Sequence, residues 1–565
     1  MKIYGELPEK KVVFAACDSV YFIKYATPLV YSAFDIGKNI HIHVCNPSTE
    51  VFALACVLAG STENTVTFTF NEVEFPANFS TQMRETYYAC LRFLLLPELL
   101  ITAEGVLTID IDSLFNSEFR YPDESLGYFP RDSISSSDKY IQKASRVAAG
   151  VLWVTRQELQ FAKSLREKIT KTPLNWFADQ IAIYECISTV QKMGIKIFNS
   201  TFLDWKFRDS SVIWTVKGKG KNSNPVFLKR TQIYTDRLGK LCQQKIVILH
   251  PRLDIPFKRS LSKRDSKKEI SDLRMYWDAL VIYLKKRYPG SLAIRAPLWM
   301  FNNSIEKLFP NETRFYAPHH EKVSFLGKPS TLYYMQTVFP WLFTIDSLGW
   351  GGGASFADEF QYKEKYSPLA FESISKYVST GKSKFPQPKK VQDYKRSLKT
   401  NSFIFVPLQI PHDQTIIYHS NISVEEFVSK LCRWVGNTDF EVDIIFKGHP
   451  ANIKSMTPLV KIITSVQKAH YITDASIHGL IEACDAVYVL NSGVGQEAMV
   501  HKKPVVSFAK SEYAAAAIAG DIDNLDTTWN IVCSDDRLKR IDIYKSWYDW
   551  YLTDVCHDVS EFVVS

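Results

Sequence analysis

The 565-residue chain lacks any uninterrupted apolar run of about 18 residues, the length a helix needs to cross a bilayer. Its longest candidate, residues 90–101, is broken by Arg92, Pro97 and Glu98. A membrane-spanning helix is therefore not expected. No apolar h-region follows Met1, so the expectation is a cytoplasmic protein, acting at most at the inner face of the cell membrane. The ten cysteines include no CxxC pair and no Cys/His cluster, which argues against a zinc ribbon or a thiol redox centre. Several lie in apolar settings such as Phe14-Ala-Ala-Cys17 and Ile481-Glu-Ala-Cys484, as reduced thiols do. Charge of one sign is also scarce. With 68 basic against 60 acidic residues and no basic-aromatic stripe, no nucleic-acid partner is expected. The mild bias of +8 suits phosphate-bearing substrates or an anionic membrane surface. No internal repeat or low-complexity segment is present.

Apolar residues make up 46% and charged residues 23%, a globular balance on a chain too long for one core. Short apolar strands alternate with stretches of helical period. In the first part, strands are expected at residues 11–17, 40–45, 65–70 and 105–109, with helices over 21–36 and 84–96. In the last part, strands at 402–407, 442–446, 471–473, 486–490 and 504–508 are separated by helices over 424–435, 456–469 and 477–484. That order reads as a doubly wound parallel sheet. A stretch rich in Lys, Pro, Ser and Gln at 381–399 reads as a linker. The expected division is 1–235, 240–395 and 400–565. The aromatic tail at 537–555 either caps the last lobe, the favoured reading, or touches a membrane surface.

Asp110-Ile-Asp112 follows the strand at 105–109. Two carboxylates at i and i+2 of an extended chain share a face. Such a pair can hold a divalent metal that neutralises a leaving diphosphate. The bland alternative is an acidic loop at a strand end. The surrounding motifs, in order, are Ala16-Cys-Asp18 with Tyr21, Tyr87-Tyr-Ala-Cys-Leu-Arg92-Phe93, Ala148-Ala-Gly150-Val-Leu and Trp176-Phe-Ala-Asp179-Gln180. Together with Asp110-Ile-Asp112 they resemble the GT-A glycosyltransferases of the glycogenin and lipopolysaccharide galactosyltransferase type. The resemblance implies Asp110 and Asp112 as ligands of Mn²⁺ or Mg²⁺, Asp18 and Arg92 at the nucleotide, and Asp179 as the catalytic carboxylate near donor or acceptor sugar. It implies a UDP-hexose donor. The family's late histidine, a third metal ligand, is missing. Ile213-Trp-Thr-Val-Lys217-Gly-Lys219-Gly-Lys221 stands in its place; its lysines could clamp phosphate, with Lys217 the one expected there.

Phe446-Lys447-Gly448-His449-Pro450 follows another strand. Gly448 allows a tight turn and Pro450 fixes the chain after it, so that Lys447 and His449 can meet a phosphate leaving group. A structural strand-end turn is the alternative. Asn491-Ser492-Gly493-Val494-Gly495 precedes a helix, where small residues present amides and hydroxyls to an anion; a packing turn is the alternative. With Val406-Pro-Leu-Gln409-Ile-Pro-His-Asp413, these motifs resemble bacterial enzymes that use CMP-activated acid sugars. Those are the capsule and lipopolysaccharide Kdo transferases and, more distantly, the bacterial sialyltransferases. The likeness spans residues 245–530, most clearly 400–510. It implies a GT-B-like pair of Rossmann-type lobes, with His449, Lys447, Asn491, Ser492 and Gly493 at the nucleotide phosphate. It also implies a catalytic carboxylate in the earlier lobe, matched by Asp346 in Phe343-Thr-Ile-Asp346-Ser-Leu-Gly349-Trp350-Gly351-Gly-Gly, whose glycines would let a sugar approach the backbone. The family's acidic-acidic-Gly signature is absent. A CMP-sugar carries one phosphate, so no cofactor is expected for this module.

The fold class expected is therefore α/β: a GT-A-like nucleotide-sugar domain followed by a GT-B-like pair of lobes. The function expected is glycosyl transfer in surface polysaccharide synthesis, from UDP-hexose and from a CMP-Kdo-like donor to a glycan or glycolipid acceptor. Two alternatives stand beside it. In one, a single module is active and the other is a degenerate acceptor-binding fold. In the other, the chain is a non-catalytic carbohydrate-binding scaffold.

Overall fold

The computed structural model describes residues 2–131, 139–190, 194–216, 221–252, 273–319, 331–384, 398, 400, 402–449 and 456–563. These group into two compact units, one drawn from Met1–Glu269 and Gly290–Thr313, the other from Ile270–Pro289, Arg314–Lys322 and Pro329–Ser565. Both are α/β, as expected.

The first unit is built on an eight-stranded sheet in the order Tyr4–Gly5, Val66–Asn71, Ile40–Cys45, Val12–Asp18, Gly105–Ile109, Val147–Thr155, Leu126–Pro130, Ile195–Ile197. The run from Val66–Asn71 through Gly105–Ile109 is parallel, and Val147–Thr155 joins it antiparallel. Val12–Asp18 (Val-Val-Phe-Ala-Ala-Cys-Asp) is buried along its length until Asp18, because a central parallel strand is covered on both faces. Helices Ser19–Asp35, Thr49–Ser61, Thr81–Leu94, Leu159–Lys171 and Ala178–Ile187 pack around this sheet or connect its strands. The parallel pair Ile246–Arg252 and Leu292–Pro297 also belongs to this unit. Gly60, in helix Thr49–Ser61, lies so near that pair that a Cβ would fall 2.9 Å from the Ile294 Cα.

Within the sheet, His41 and His43 lie on one face of Ile40–Cys45 and are fully buried. They pair in a ladder with the neighbouring strand. His41 Nδ1 and Nε2 lie 2.9 Å from the hydroxyls of Thr67 and Thr69, and His43 Nδ1 and Nε2 lie 3.0 Å from Thr69 Oγ1 and 2.8 Å from Asn71 Oδ1. Burial pushes the two imidazoles down to about 3 and about 4, so both are neutral at pH 7.

The second unit holds two sheets. One contains Arg314–Pro318, Thr331–Gln336, Leu342–Asp346 and Cys556–Asp558 as neighbours, the first pair parallel and the others antiparallel. The other has six parallel strands in the order Ala469–Ile472, Asp443–Lys447, Phe403–Pro407, Ala486–Val489, Val505–Ser507, Ile518–Ala519. The doubly wound expectation holds there for the five expected strands, with bounds moved by a residue or two, and Ile518–Ala519 adds a sixth at the edge. Helix Val424–Asn437 buries Val424, Phe427, Val428, Leu431 and Val435 at helical spacing against this sheet. The tail helix Arg537–Trp550 and the turn after it bury Tyr544, Trp547, Tyr548 and Tyr551 completely beside Phe339 and Phe371. The Tyr548 hydroxyl donates to Gln496 O at 2.8 Å. Each such ring contributes roughly 1.5–3 kcal/mol by burial alone. The tail therefore caps its own unit, the favoured of the two readings. Among the described residues no helix is long and apolar enough to cross a membrane.

Candidate functional site

In open α/β sheets the ligand crevice lies beyond the carboxyl ends of two adjacent strands whose connections leave in opposite directions. Each unit has such a point. In the first it falls between Val12–Asp18 and Gly105–Ile109, neighbours by direct pairing. Asp18 ends one of these strands, and Asp110 follows the other. Asp18 also caps helix Ser19–Asp35, accepting from Tyr21 N at 2.8 Å.

The acidic motif is not an extended i, i+2 pair, which corrects the sequence expectation. The strand stops at Ile109, and a turn follows in which Ser113 N donates to Asp110 O at 3.1 Å. The two carboxylates consequently take different partners. Arg92, buried on helix Thr81–Leu94, donates Nη1 to Asp110 Oδ1 and Nη2 to Ala149 O at 3.1 Å. Its Nη2 also lies 3.5 Å from Asp179 Oδ2. Asp179, in the first turn of Ala178–Ile187, accepts from Gln180 N at 2.8 Å. Asp112 pairs with the ammonium of Lys221. Burial, then the nearby Asp110, push the Asp112 carboxyl up to about 6 against the pull of Lys221 and Arg92. Asp179 is raised chiefly by burial, with Arg92 opposing. Gly150 packs closely here: a Cβ would stand 3.2 Å from Asp110 Oδ2 and 3.1 Å from Leu203 Cδ2.

Asp110, Asp179 and Arg92 thus form one cluster, and Asp112 with Lys221 forms the adjoining pair. Among the described residues no group of three His, Cys, Asp or Glu side chains is arranged to hold a metal ion. As they stand these residues do not fit a divalent ion, because each carboxylate of the motif is committed to a protein cation. Lys217 lies outside the described residues. Lys221 was expected only as one of the lysines of Lys217-Gly-Lys219-Gly-Lys221 that could clamp phosphate; its pairing with Asp112 was not.

In the second unit the switch point falls between Phe403–Pro407 and Ala486–Val489, again direct neighbours. Gln409 and Asn491 leave these strands and clasp each other. Gln409 Nε2 donates to Asn491 Oδ1 at 2.9 Å, Asn491 N donates to Gln409 Oε1 at 3.3 Å, and Asn491 Nδ2 donates to Thr415 O at 2.9 Å. Asp413 caps the short helix Gln414–His419 through Thr415 N at 2.9 Å. On the next strand, Lys447, Gly448 and His449 end Asp443–Lys447, while Pro450 lies outside the described residues. A Cβ on Gly448 would fall 2.3 Å from Tyr471 Oη, so a larger residue in that turn requires the tyrosine ring to shift. Burial lowers the Lys447 ammonium, with Asp474 opposing. Burial lowers the His449 imidazole, with Asp413 opposing and Lys447 adding to the effect.

Two further expectations change in detail. The amides of the 491–495 turn are not all presented to solvent: Val494 N donates to Ser492 Oγ at 3.3 Å, Gly495 N to Ser492 O at 3.0 Å and Gln496 N to Gly493 O at 3.0 Å. Gly493 and Gly495 serve packing, because a Cβ would strike Val338 Cγ1 at 2.2 Å or Tyr513 Oη at 2.4 Å. Asp346 is engaged by its own loop. Oδ1 accepts from Leu348 N, Gly349 N and Ser355 N at 2.8, 3.0 and 3.1 Å, and Oδ2 accepts from Ser355 Oγ. The glycines after it accommodate protein rather than sugar: Cβ atoms on Gly352 and Gly353 would fall 2.4 Å from Lys510 O and from His419 Cε1.

Gln409 and Asn491 at a doubly wound switch point, with a lysine and a histidine on the adjacent strand end, make this the polar crevice of the second unit. Residues 361–546 match the family model of capsule polysaccharide biosynthesis proteins. The matched region contains Gln409, Lys447, His449, Asn491 and Ser492. It also contains two buried acids absent from the sequence expectations, Glu497 and Glu512, both raised by burial to about 7. Gln496 Nε2 donates to Glu512, and the Tyr513 hydroxyl donates to Ser492 O. No curated protein matches the chain. Among solved structures, the chain is similar to the β-Kdo 2,7-transferase KpsC of Thermosulfurimonas dismutans at 14% identity over 57% of this chain and 97% of that one, TM-score 0.32. It is similar to the galactosyltransferase LgtC at 20% identity over 40% and 95%, TM-score 0.29. It is also similar to the glycosyltransferase GlyE of Streptococcus pneumoniae TIGR4 at 10% identity over 89% and 92%, TM-score 0.28.

Proposed function

We propose that the chain is a glycosyltransferase of surface polysaccharide synthesis, capsule or lipopolysaccharide, with a nucleotide-sugar module in each unit. The observation that carries this reading is the placement of charged side chains at both switch points, one inside the region matched by the capsule-synthesis family model. In the second unit the donor is a CMP-activated acid sugar of the Kdo type. Lys447 and His449 receive the phosphate of the departing CMP, and the Gln409–Asn491 clasp holds the crevice wall. Lys447 supplies an ammonium and His449 an imidazole N–H to phosphate oxygens, and the phosphate charge would in turn favour their protonated forms. Asp346, with both oxygens engaged, holds the 346–355 loop in shape rather than taking a proton from the acceptor.

In the first unit the donor is a UDP-hexose. Arg92 fixes Asp110 and Asp179 side by side, and those carboxylates orient hydroxyls of the sugar. Asp18, at the neighbouring strand end, lines the nucleotide end of the crevice. The acceptor of either module is a glycan or glycolipid.

A second reading keeps the C-terminal activity and makes the first unit a degenerate acceptor-binding fold. The closed ion pairs at Asp110 and Asp112 favour it. One experiment separates the two. The purified chain is incubated with CMP-Kdo, CMP-sialic acid and UDP-hexoses, and nucleotide release is followed. Two activities are expected, one lost in His449→Ala and the other in Asp110→Ala/Asp112→Ala. Loss of CMP release alone supports the single-module reading. If no donor is turned over or bound, and His449→Ala changes nothing, both readings fall.

A further inference from the structure

Two carboxylates that the sequence suggests for a divalent ion meet two protein cations instead. Arg92 takes Asp110, and Lys221 takes Asp112. We propose that the Lys221 ammonium supplies the positive charge of this crevice from within the protein, and that the first unit binds a nucleoside diphosphate without a metal ion. This rests on the reading of the first unit as a nucleotide-sugar module.

The surroundings of Lys221 are those of a held cation rather than a solvated surface lysine. Its side chain is 18% exposed and that of Asp112 is 6% exposed. The ammonium lies 5.1 Å from the ring centroid of Tyr21 and 5.9 Å from that of Tyr25, within cation–π range. Both rings belong to helix Ser19–Asp35, whose cap is Asp18 at the end of the neighbouring strand. The ammonium is thus bracketed by the two chain segments that form the switch point.

An ammonium carries three N–H donors. One directed at Asp112 leaves others for phosphate oxygens, and the remaining exposure gives a ligand access to them. Asp112 then acts as a positioning residue, holding the lysine where charge accumulates on the diphosphate. A divalent ion brought to the same carboxylate would sit against this ammonium and be repelled by it. The chain also bears lysine, not histidine, at the end of the segment where a third metal ligand was expected.

Calorimetric titration of the full chain with UDP, once in EDTA and once in Mn²⁺, tests the assignment. Affinities within about threefold of each other are expected, since the charge is already in place. Lys221→Met is expected to weaken binding in EDTA by about tenfold or more, and Lys221→Arg to restore most of it, as loss and return of one charge-assisted contact require. Binding to the wild-type chain only when Mn²⁺ is present overturns the proposal and leaves the nucleotide-sugar reading standing. Unchanged binding in Lys221→Met also overturns it. If UDP binds in neither buffer while the chain melts cooperatively and still binds CMP, the nucleotide-sugar reading of the first unit has failed and the proposal falls with it.

Discussion

The two crevices occupy the same topological place and differ in how their charges are balanced. In the first unit, Asp110 and Asp112 are each met by a cation from a separate element, helix Thr81–Leu94 for Arg92 and the segment before helix Pro225–Leu241 for Lys221. In the second, Lys447 and His449 stand on one strand end, and the carboxylates acting on them, Asp474 and Asp413, come from other loops. The first is a compensated site, assembled from residues far apart in the chain. The second is a cationic site with its key residues two positions apart. A shared switch point thus fixes where a ligand sits, while the side chains decide which ligand.

Lys447→Ala should break the contrast most strongly. Removing the buried ammonium should lower CMP affinity by about a hundredfold, in line with a charge-assisted contact of roughly 1.5–3 kcal/mol, and leave UDP affinity unchanged. Calorimetry with both nucleotides checks it; an equal loss for UDP would mean the crevices are not independent. Gly150→Ala should act in the opposite unit. Its methyl would press on Asp110 and Leu203, so UDP affinity should fall by about tenfold with CMP affinity intact.

The pH response should separate the units next. His41 and His43 have folded values far below the ordinary 6.5. Their contribution is complete above 6.5 and is lost as pH falls toward their folded values. Glu497 and Glu512 are raised from 4.5 to about 7, so their contribution is complete below 4.5 and is lost as pH rises through 7. Asp112, raised to about 6, and Asp179, also raised by burial, work against the histidines in the first unit. His478, His501 and His557, lowered by burial, pull the second unit the other way, so the acids are read by variant: Glu497→Gln and Glu512→Gln should each slow hydrogen exchange of the second unit at pH 8 and leave the first unit unchanged. Unchanged or faster exchange at pH 8 in both variants would refute the assignment. The smallest effect belongs to Asp346→Asn. It should lower the melting temperature by a few degrees, as weakened loop bonds worth about 1 kcal/mol require, and leave kcat within about threefold. A hundredfold drop in kcat with KM unchanged would restore Asp346 as the proton acceptor.

Much of the fold was legible because parallel strands are buried on both faces and read as short apolar runs. Gly105–Ile109 falls where the residues placed it, and five of the six parallel strands of the second unit were read from the alternation of strands and helices. Strands Leu126–Pro130, Ile518–Ala519 and Cys556–Asp558 were among those missed; they lie at or near a sheet edge, where no continuous apolar run marks them. The candidate residues were legible as types but not as partnerships. Nothing in Asp110-Ile-Asp112 announces that Arg92 and Lys221 divide the motif between them, since both pairings span long stretches of chain. Nor does a glycine-rich string reveal whether its glycines face a ligand or, as at Gly353 and Gly493, a neighbouring side chain.

Strand Cys556–Asp558 has a consequence for the order of assembly. It forms an edge pair with Leu342–Thr344, more than two hundred residues earlier, and the buried aromatic helix Arg537–Trp550 precedes it. Contacts so distant in sequence close late, since the intervening loop must be ordered before they form. During synthesis the second unit must therefore wait with its Phe339 and Phe371 surfaces uncovered until residue 558 has left the ribosome. The first unit's main sheet, closed by residue 197, can by then be folded.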